Sequence, residues 1–211
     1  RMKANYLYKQ PTVVIDDFFE CPNQVRHWGL SLEFFKGNRG NWPGFRTELL
    51  HKVDMQFHQL LCQKIIKHTE YNGFRQFDCS FHICDESWGD GWIHTDPLHF
   101  NVVGLIYLNP NPPTDDHYGT IIYDQPIEYD MGDGIFNADV NELDSSARRK
   151  WDKEREHHNA HYKPNTIVDN RYNRCIIFDA RQWHSAGKFF GKEGDKENSR
   201  LTIVFFGEAV V

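Results

Sequence analysis

The chain has 211 residues, of which 39% are hydrophobic, 15% aromatic and 26% charged, and its formal net charge is −6. That length can bury a full-sized core, and the generous aromatic share excludes intrinsic disorder. A mildly acidic chain has no electrostatic reason to gather on nucleic acid or an anionic membrane, so neither is an expected partner. The five cysteines, Cys21, Cys62, Cys79, Cys84 and Cys175, are odd in number and form no CxxC pair. They argue against a disulfide framework or a zinc ribbon and for a reducing cytoplasm. No stretch approaches the ~20 apolar residues of a membrane span, and Arg1 to Tyr8 hold no apolar run of signal-peptide length.

In chain order, Thr12 to Phe19 reads as a strand. Pro22 sits where a first helical turn tolerates proline, and Val25, Trp28 and Leu32 follow at helical spacing. Lys36 to Arg46 is loop by its Gly, Asn and Pro content. A second helix is predicted from about Glu48 to His68, with Leu50, Val53, Phe57, Leu60, Leu61 and Ile65 as its apolar stripe. Beyond Gly73 the period becomes two: Phe77, Cys79, Phe81 and Ile83 alternate with Asp78, Ser80, His82 and Cys84. Five further strand candidates are Gly91 to Asp96, Phe100 to Leu108, Gly119 to Asp124, Arg174 to Asp179 and Leu201 to Phe206. Helices followed by many short strands predict an α+β chain, mainly β, whose core is a sandwich and whose N-terminal helices pack on one sheet. One domain over 1–211 is expected, with a strand and helices in 1–72 and the β core in 73–211. Pro126 to Pro164 interrupts that core with a charged, helix-compatible segment, read as an insertion that is either a substrate-shaping lid or a contact surface.

The chemistry centres on His94-Thr95-Asp96. In a strand, residues i and i+2 share a face, so this imidazole and carboxylate can occupy adjacent corners of one metal. A histidine from a distant strand would complete the 2-His-1-carboxylate triad of non-haem Fe(II) oxygenases, with open positions opposite. With 12 histidines and 30 acidic residues, such a pair also arises by chance as a solvated strand end.

The order of segments goes further. HTDP at 94–97 is followed by an apolar strand ending in Tyr107-Leu108-Asn109, by Gly119-Thr120, by RCIIFDARQWHSAG at 174–187 and by SRLTIVFFGE at 199–208. Over about Phe77 to Glu208 this succession resembles the 2-oxoglutarate/Fe(II) dioxygenase superfamily, and within it the prolyl-4-hydroxylase-like branch. VVIDDFFECPNQVR at 13–26 is similar to the opening of bacterial and phage members of that group. The resemblance implies a double-stranded β-helix, the jelly-roll or cupin-like core. It implies iron held by His94, Asp96 and His184, the last after the apolar strand Cys175 to Phe178 and shortly before Gly187. His157, His158 and His161 form a rival HHxxH cluster, better read as a wet helix surface.

By the same resemblance, the distal carboxylate of 2-oxoglutarate falls to Arg200, sixteen residues after His184. The planar fork of arginine pairs bidentately with a carboxylate, whereas the bland reading is an edge-strand arginine over aromatic neighbours. Tyr107 matches a tyrosine that some members turn to the same carboxylate; it equally reads as a core tyrosine. Where relatives often have a second tyrosine, this chain has His82 and Cys84 nearby. The implied activity is a dioxygenase using Fe(II), 2-oxoglutarate and O2, with ascorbate as an accessory reductant. It would hydroxylate a peptidyl proline, a free amino acid or another small organic molecule. Asp96 favours hydroxylation, since related halogenases have a small residue there. The alternatives are a jelly-roll module without turnover and a cupin-like metalloprotein that does not use 2-oxoglutarate.

Overall fold

The computed structural model describes residues 10–36, 42–114, 118–124 and 143–211. After strand β1 (Val13–Ile15) come helix α1 (Pro22–Ser31), strands β2 (Phe35–Lys36) and β3 (Phe45–Arg46), and helices α2 (Leu50–Val53) and α3 (Met55–Ile66). Strand β4 (Gly73–Cys84) opens the β-rich part, followed by β5 (Val102–Tyr107) and β6 (Thr120–Tyr123). Helix α4 (Ser145–Asn159) then leads to β7 (Pro164–Val168), β8 (Cys175–Phe178), β9 (Trp183–Ala186) and β10 (Arg200–Val210).

Two antiparallel sheets result, one of order β1-β8-β5-β10-β4-β3-β2 and one of order β7-β6-β9. Residues 90–94 extend the smaller sheet beside β9 through isolated bridges, Asp90 with Lys188 and His94 with His184. From β4 to β10 the chain crosses between the two sheets at every step except the β6–β7 pair, the arrangement of a double-stranded β-helix.

Side-chain alternation decides what each face of the large sheet buries. From β4, Phe77, Cys79, Phe81 and Ile83 turn outward to join Leu201, Ile203 and Phe205 of β10 in a core closed by the helices. Leu50, Leu61 and Ile65 are fully buried there, contributing about 1.5–3 kcal/mol each. Trp28 of α1 meets Phe81 edge-on at 5.4 Å. The opposite face carries Val103 and Tyr107 of β5 with Ile176 and Phe178 of β8, and packs on Ile122 of β6 and Val168 of β7. The N-terminal helices therefore lie on one sheet, as expected, and the second face looks into the space between the sheets.

Several expectations need correction. The single long helix is two helices, because Asp54 is extended (φ −149°, ψ 100°) and its carboxylate caps α3 by accepting from the Phe57 amide at 2.9 Å. The break shifts the helical phase, which leaves Val53 and Leu60 exposed at 39% and 49%. Part of the predicted loop 36–46 is a hairpin in which β2 and β3 lengthen the large sheet. Gly91 to Asp96 forms no regular strand, only bridges, and β7 and β9 were not predicted as strands. No helix among the described residues is long and apolar enough to cross a membrane.

Candidate metal centre and anion pocket

The segment carrying His94 is held from both sides. His94 and His184 exchange both backbone hydrogen bonds, His94 N to His184 O at 3.0 Å and His184 N to His94 O at 2.9 Å. Directly opposed residues of an antiparallel pair project to one face, and the two imidazoles lie 4.4 Å apart between ring centroids. The Asp96 amide donates to Ala180 O at 2.9 Å, which fixes the carboxylate beside them. The side-chain donors of His94, Asp96 and His184 all lie within 4.8 Å of one another. His184 Nε2 is 3.4 Å from one oxygen of Asp96, and His94 Nε2 is 3.9 Å from the other.

The backbone orients both rings. His94 Nδ1 lies 2.8 Å from Trp92 O, and His184 Nδ1 lies 2.9 Å from Gln182 O. A carbonyl only accepts, so each Nδ1 carries a hydrogen and each Nε2 is left to face the cluster as the nitrogen a metal would take. Burial pulls the His184 pKa down to about 4, against the opposing pull of Asp96, so its ring is neutral at physiological pH. Asp96 and His184 are 9% and 8% exposed, whereas the His94 side chain is 43% exposed and marks the open side.

Helix α4 supplies the second support. Asn159 donates from Nδ2 to Gly91 O at 2.9 Å and accepts from the Ile93 amide at 3.0 Å. His158 Nε2 donates to Ile93 O at 2.6 Å. Trp151 meets Trp92 at 5.6 Å. The wet-surface reading therefore fits exposed His157 and His161 but not His158, which is 3% exposed. Trp151 and Leu143, both within the insertion, pack on one apolar cluster with Trp88, Trp92 and Phe189. Ile135, Phe136 and Val140 of the same insertion lie outside the described residues.

A second feature lies on the inward face of the large sheet. Tyr107, Thr202 and His82 are directly opposed across β5, β10 and β4, and Arg200 and Cys84 form the next pair on that face. Arg200 is 2% exposed, with its Cζ 5.6 Å from the Tyr107 ring and 5.7 Å from the Phe189 ring. Its Nε and Nη2 have no hydrogen-bond partner among the described residues, and neither does the wholly buried hydroxyl of Thr202. Unpaired buried donors are expensive, so this cluster has the chemistry of a carboxylate pocket. Tyr107 is fully buried and its hydroxyl lies 2.7 Å from Thr120 Oγ1; burial pushes its pKa up. His82 donates through Nε2 to Pro43 O at 2.6 Å, and burial holds its pKa well below normal. Burial pushes the Cys84 thiol up. Both are therefore uncharged walls of the pocket.

Sequence reasoning named His94, Asp96, His184, Arg200 and Tyr107, and the structure gathers the first three into one cluster and the last two into one pocket. It missed Thr202, which the spacing of two from Arg200 could have indicated. It also missed Asn159 and His158, whose role depends on where α4 docks and leaves no local signal.

No family model matches the sequence, and no curated protein matches it either. Solved structures do match in fold. A prolyl hydroxylase from Trichoplax adhaerens, in complex with a peptide fragment of the hypoxia inducible factor oxygen degradation domain, aligns over 93% of this chain and 82% of its own, with a TM-score of 0.52 and 15% identity. A prolyl-4-hydroxylase from Pseudomonas putida aligns over 96% and 94%, with a TM-score of 0.50 and 13% identity. HygX from Streptomyces hygroscopicus, with nickel and 2-oxoglutarate bound, aligns over 98% and 87%, with a TM-score of 0.53 and 12% identity. The chain has the fold of these proteins.

Proposed function

We propose that this chain is an Fe(II)- and 2-oxoglutarate-dependent dioxygenase. The carrying observation is the pairing of two features in the space between the sheets: a 2-His-1-carboxylate cluster, and a buried arginine and hydroxyl whose Nε, Nη2 and Oγ1 have no hydrogen-bond partner among the described residues. His94, Asp96 and His184 would hold the metal, and their donor set suits Fe(II) with open positions. Arg200 and Thr202 would take the distal carboxylate of 2-oxoglutarate, with Tyr107 against the arginine. Bound iron with this cosubstrate and O2 supplies oxidative decarboxylation to succinate and CO2, coupled to oxidation of a substrate C–H bond; ascorbate would serve as accessory reductant.

The chain's own residues then have defined tasks. Trp92 O and Gln182 O orient the two imidazoles and keep the hydrogen on Nδ1. Asp96 would supply the anionic ligand where related halogenases have a small residue, so hydroxylation is the assigned outcome. Phe178, 4.7 Å from the His184 ring, and Ile122 beside it exclude water from the inner side. The exposed flank of His94 leaves the entry for substrate. We assign a prolyl or other amino-acid residue, free or in a peptide, or a comparable small molecule, in keeping with the hydroxylases that share the fold. A test follows from chelation: adding 2-oxoglutarate to the Fe(II)-loaded protein without oxygen should produce a visible charge-transfer band. The band should vanish in His184→Ala and need much higher 2-oxoglutarate in Arg200→Met. A protein that binds Fe(II) yet gives no band at any concentration of 2-oxoglutarate would leave the cupin-like reading in its place.

A further inference from the structure

We propose that Arg46 anchors a carboxylate of the substrate, making the substrate a monoanion held apart from the cosubstrate carboxylate. The inference rests on the reading that His94, Asp96 and His184 form the reaction centre. Arg46 ends β3, directly opposite His82, which is opposite Thr202, which is opposite Tyr107. All four therefore share the face that looks between the sheets.

The side chain is built into place. Gly44 has φ +73°, and a Cβ there would lie 2.2 Å from Ile83 O, so the turn before Arg46 presses its backbone onto β4. His82 ties Pro43 to the same strand. Just beyond Arg46, the Thr47 amide donates to Phe81 O at 3.0 Å, and the Phe81 amide donates to Thr47 Oγ1 at 3.1 Å. The guanidinium lies 4.3 Å over the Trp42 ring and 5.4 Å from the Phe206 ring. Its Nε is sealed from solvent without a hydrogen-bond partner among the described residues. Burial lowers its pKa to about 10, with Asp96 as the opposing influence.

A purely structural arginine stacked between aromatic rings would keep its N–H groups wet or paired. This one keeps a sealed donor and has no acid within salt-bridge distance among the described residues. It also faces a different stretch of β10 from Arg200: Phe206 lies six residues beyond it. The two guanidiniums therefore serve two separate anions. A single cation close to the negative Asp96 suits one charge, and the planar fork between aromatic walls suits a carboxylate better than a phosphate dianion.

The test titrates wild type, Arg46→Gln and Arg46→Lys with propionate and N-acetylproline and with their neutral amides. Each titration is run on Zn(II)-loaded protein with and without saturating 2-oxoglutarate. Calorimetry gives affinity, and the ¹⁵N–¹H signal of the arginine Nε groups gives location. The expected result is about tenfold or greater preference for acid over amide in wild type. That preference should disappear in Arg46→Gln, be weakened in Arg46→Lys, and be accompanied by movement of the Arg46 Nε signal. Affinity for 2-oxoglutarate should be the same in all three proteins. Equal binding of acid and amide by wild type, or an unchanged preference in Arg46→Gln with native thermal unfolding, would overturn the proposal. So would loss of 2-oxoglutarate binding in Arg46→Gln, which would place Arg46 with the cosubstrate. Failure of wild type itself to bind 2-oxoglutarate would instead remove the dioxygenase reading, and the acid-to-amide comparison without cosubstrate would still decide the role of Arg46.

Discussion

Replacing Arg200 by methionine should move stability and cosubstrate binding in opposite directions. In the ligand-free protein a guanidinium 2% exposed keeps two N–H groups unpaired. Exchanging a buried ionic group for an apolar side chain of similar length is often neutral or stabilising by about 1–4 kcal/mol, so ligand-free Arg200→Met should unfold no earlier than wild type. With 2-oxoglutarate the order reverses. Removing one partner of a buried charged pair costs roughly 3–5 kcal/mol, and each 1.4 kcal/mol is about tenfold in affinity. The variant should therefore bind at least about a hundredfold more weakly. At a concentration of about 100 times the wild-type dissociation constant, ligand binding stabilises wild type by about 2.7 kcal/mol and the variant by no more than about 0.4 kcal/mol. Denaturant unfolding of metal-loaded protein with and without 2-oxoglutarate reads both numbers. Equal stabilisation of the two proteins by 2-oxoglutarate would refute the assignment of the carboxylate to Arg200.

Two further outcomes are expected. Asn159→Ala removes its two hydrogen bonds to residues 91 and 93; losing such outer support typically lowers metal affinity about 10–100-fold, which Zn(II) calorimetry would detect, and unchanged affinity would mean that Asn159 does not position His94. The lowered His184 pKa makes metal-free stability pH-dependent: the unfolded ring takes its proton near 6.5 and the folded ring only near 4, so stability falls as pH drops through that window, by about 2 kcal/mol between pH 7 and pH 5, a slope that His184→Gln should lack in urea titrations.

What the sequence could reveal followed the range of each signal. Alternation along Phe77 to Ile83 is a local property, and it correctly separated the helix-facing side of β4 from its inner side. HxD and the arginine opening an apolar strand are likewise compact, and the structure brings His94 and Asp96 to the distant His184. Strand spacing alone does not produce that meeting: residues 91–96 form no regular strand, and the backbone bridge to His184 does the aligning. The break at Asp54 was legible only as a capping residue inside an apparent helix, where the apolar periodicity outweighed it. The hairpin that carries Arg46 was hidden because Gly, Asn and Pro mark a turn without saying that the residues on either side pair. The clamp from α4 depends on where a charged helix docks, which no periodicity encodes.

The central claim is most directly tested by succinate release. Protein supplied with Fe(II), O2 and 2-oxoglutarate should form succinate, and His94→Ala, Asp96→Ala and His184→Ala should each abolish it together with Fe(II) retention. Wild-type rates of succinate formation in His184→Ala would contradict the account.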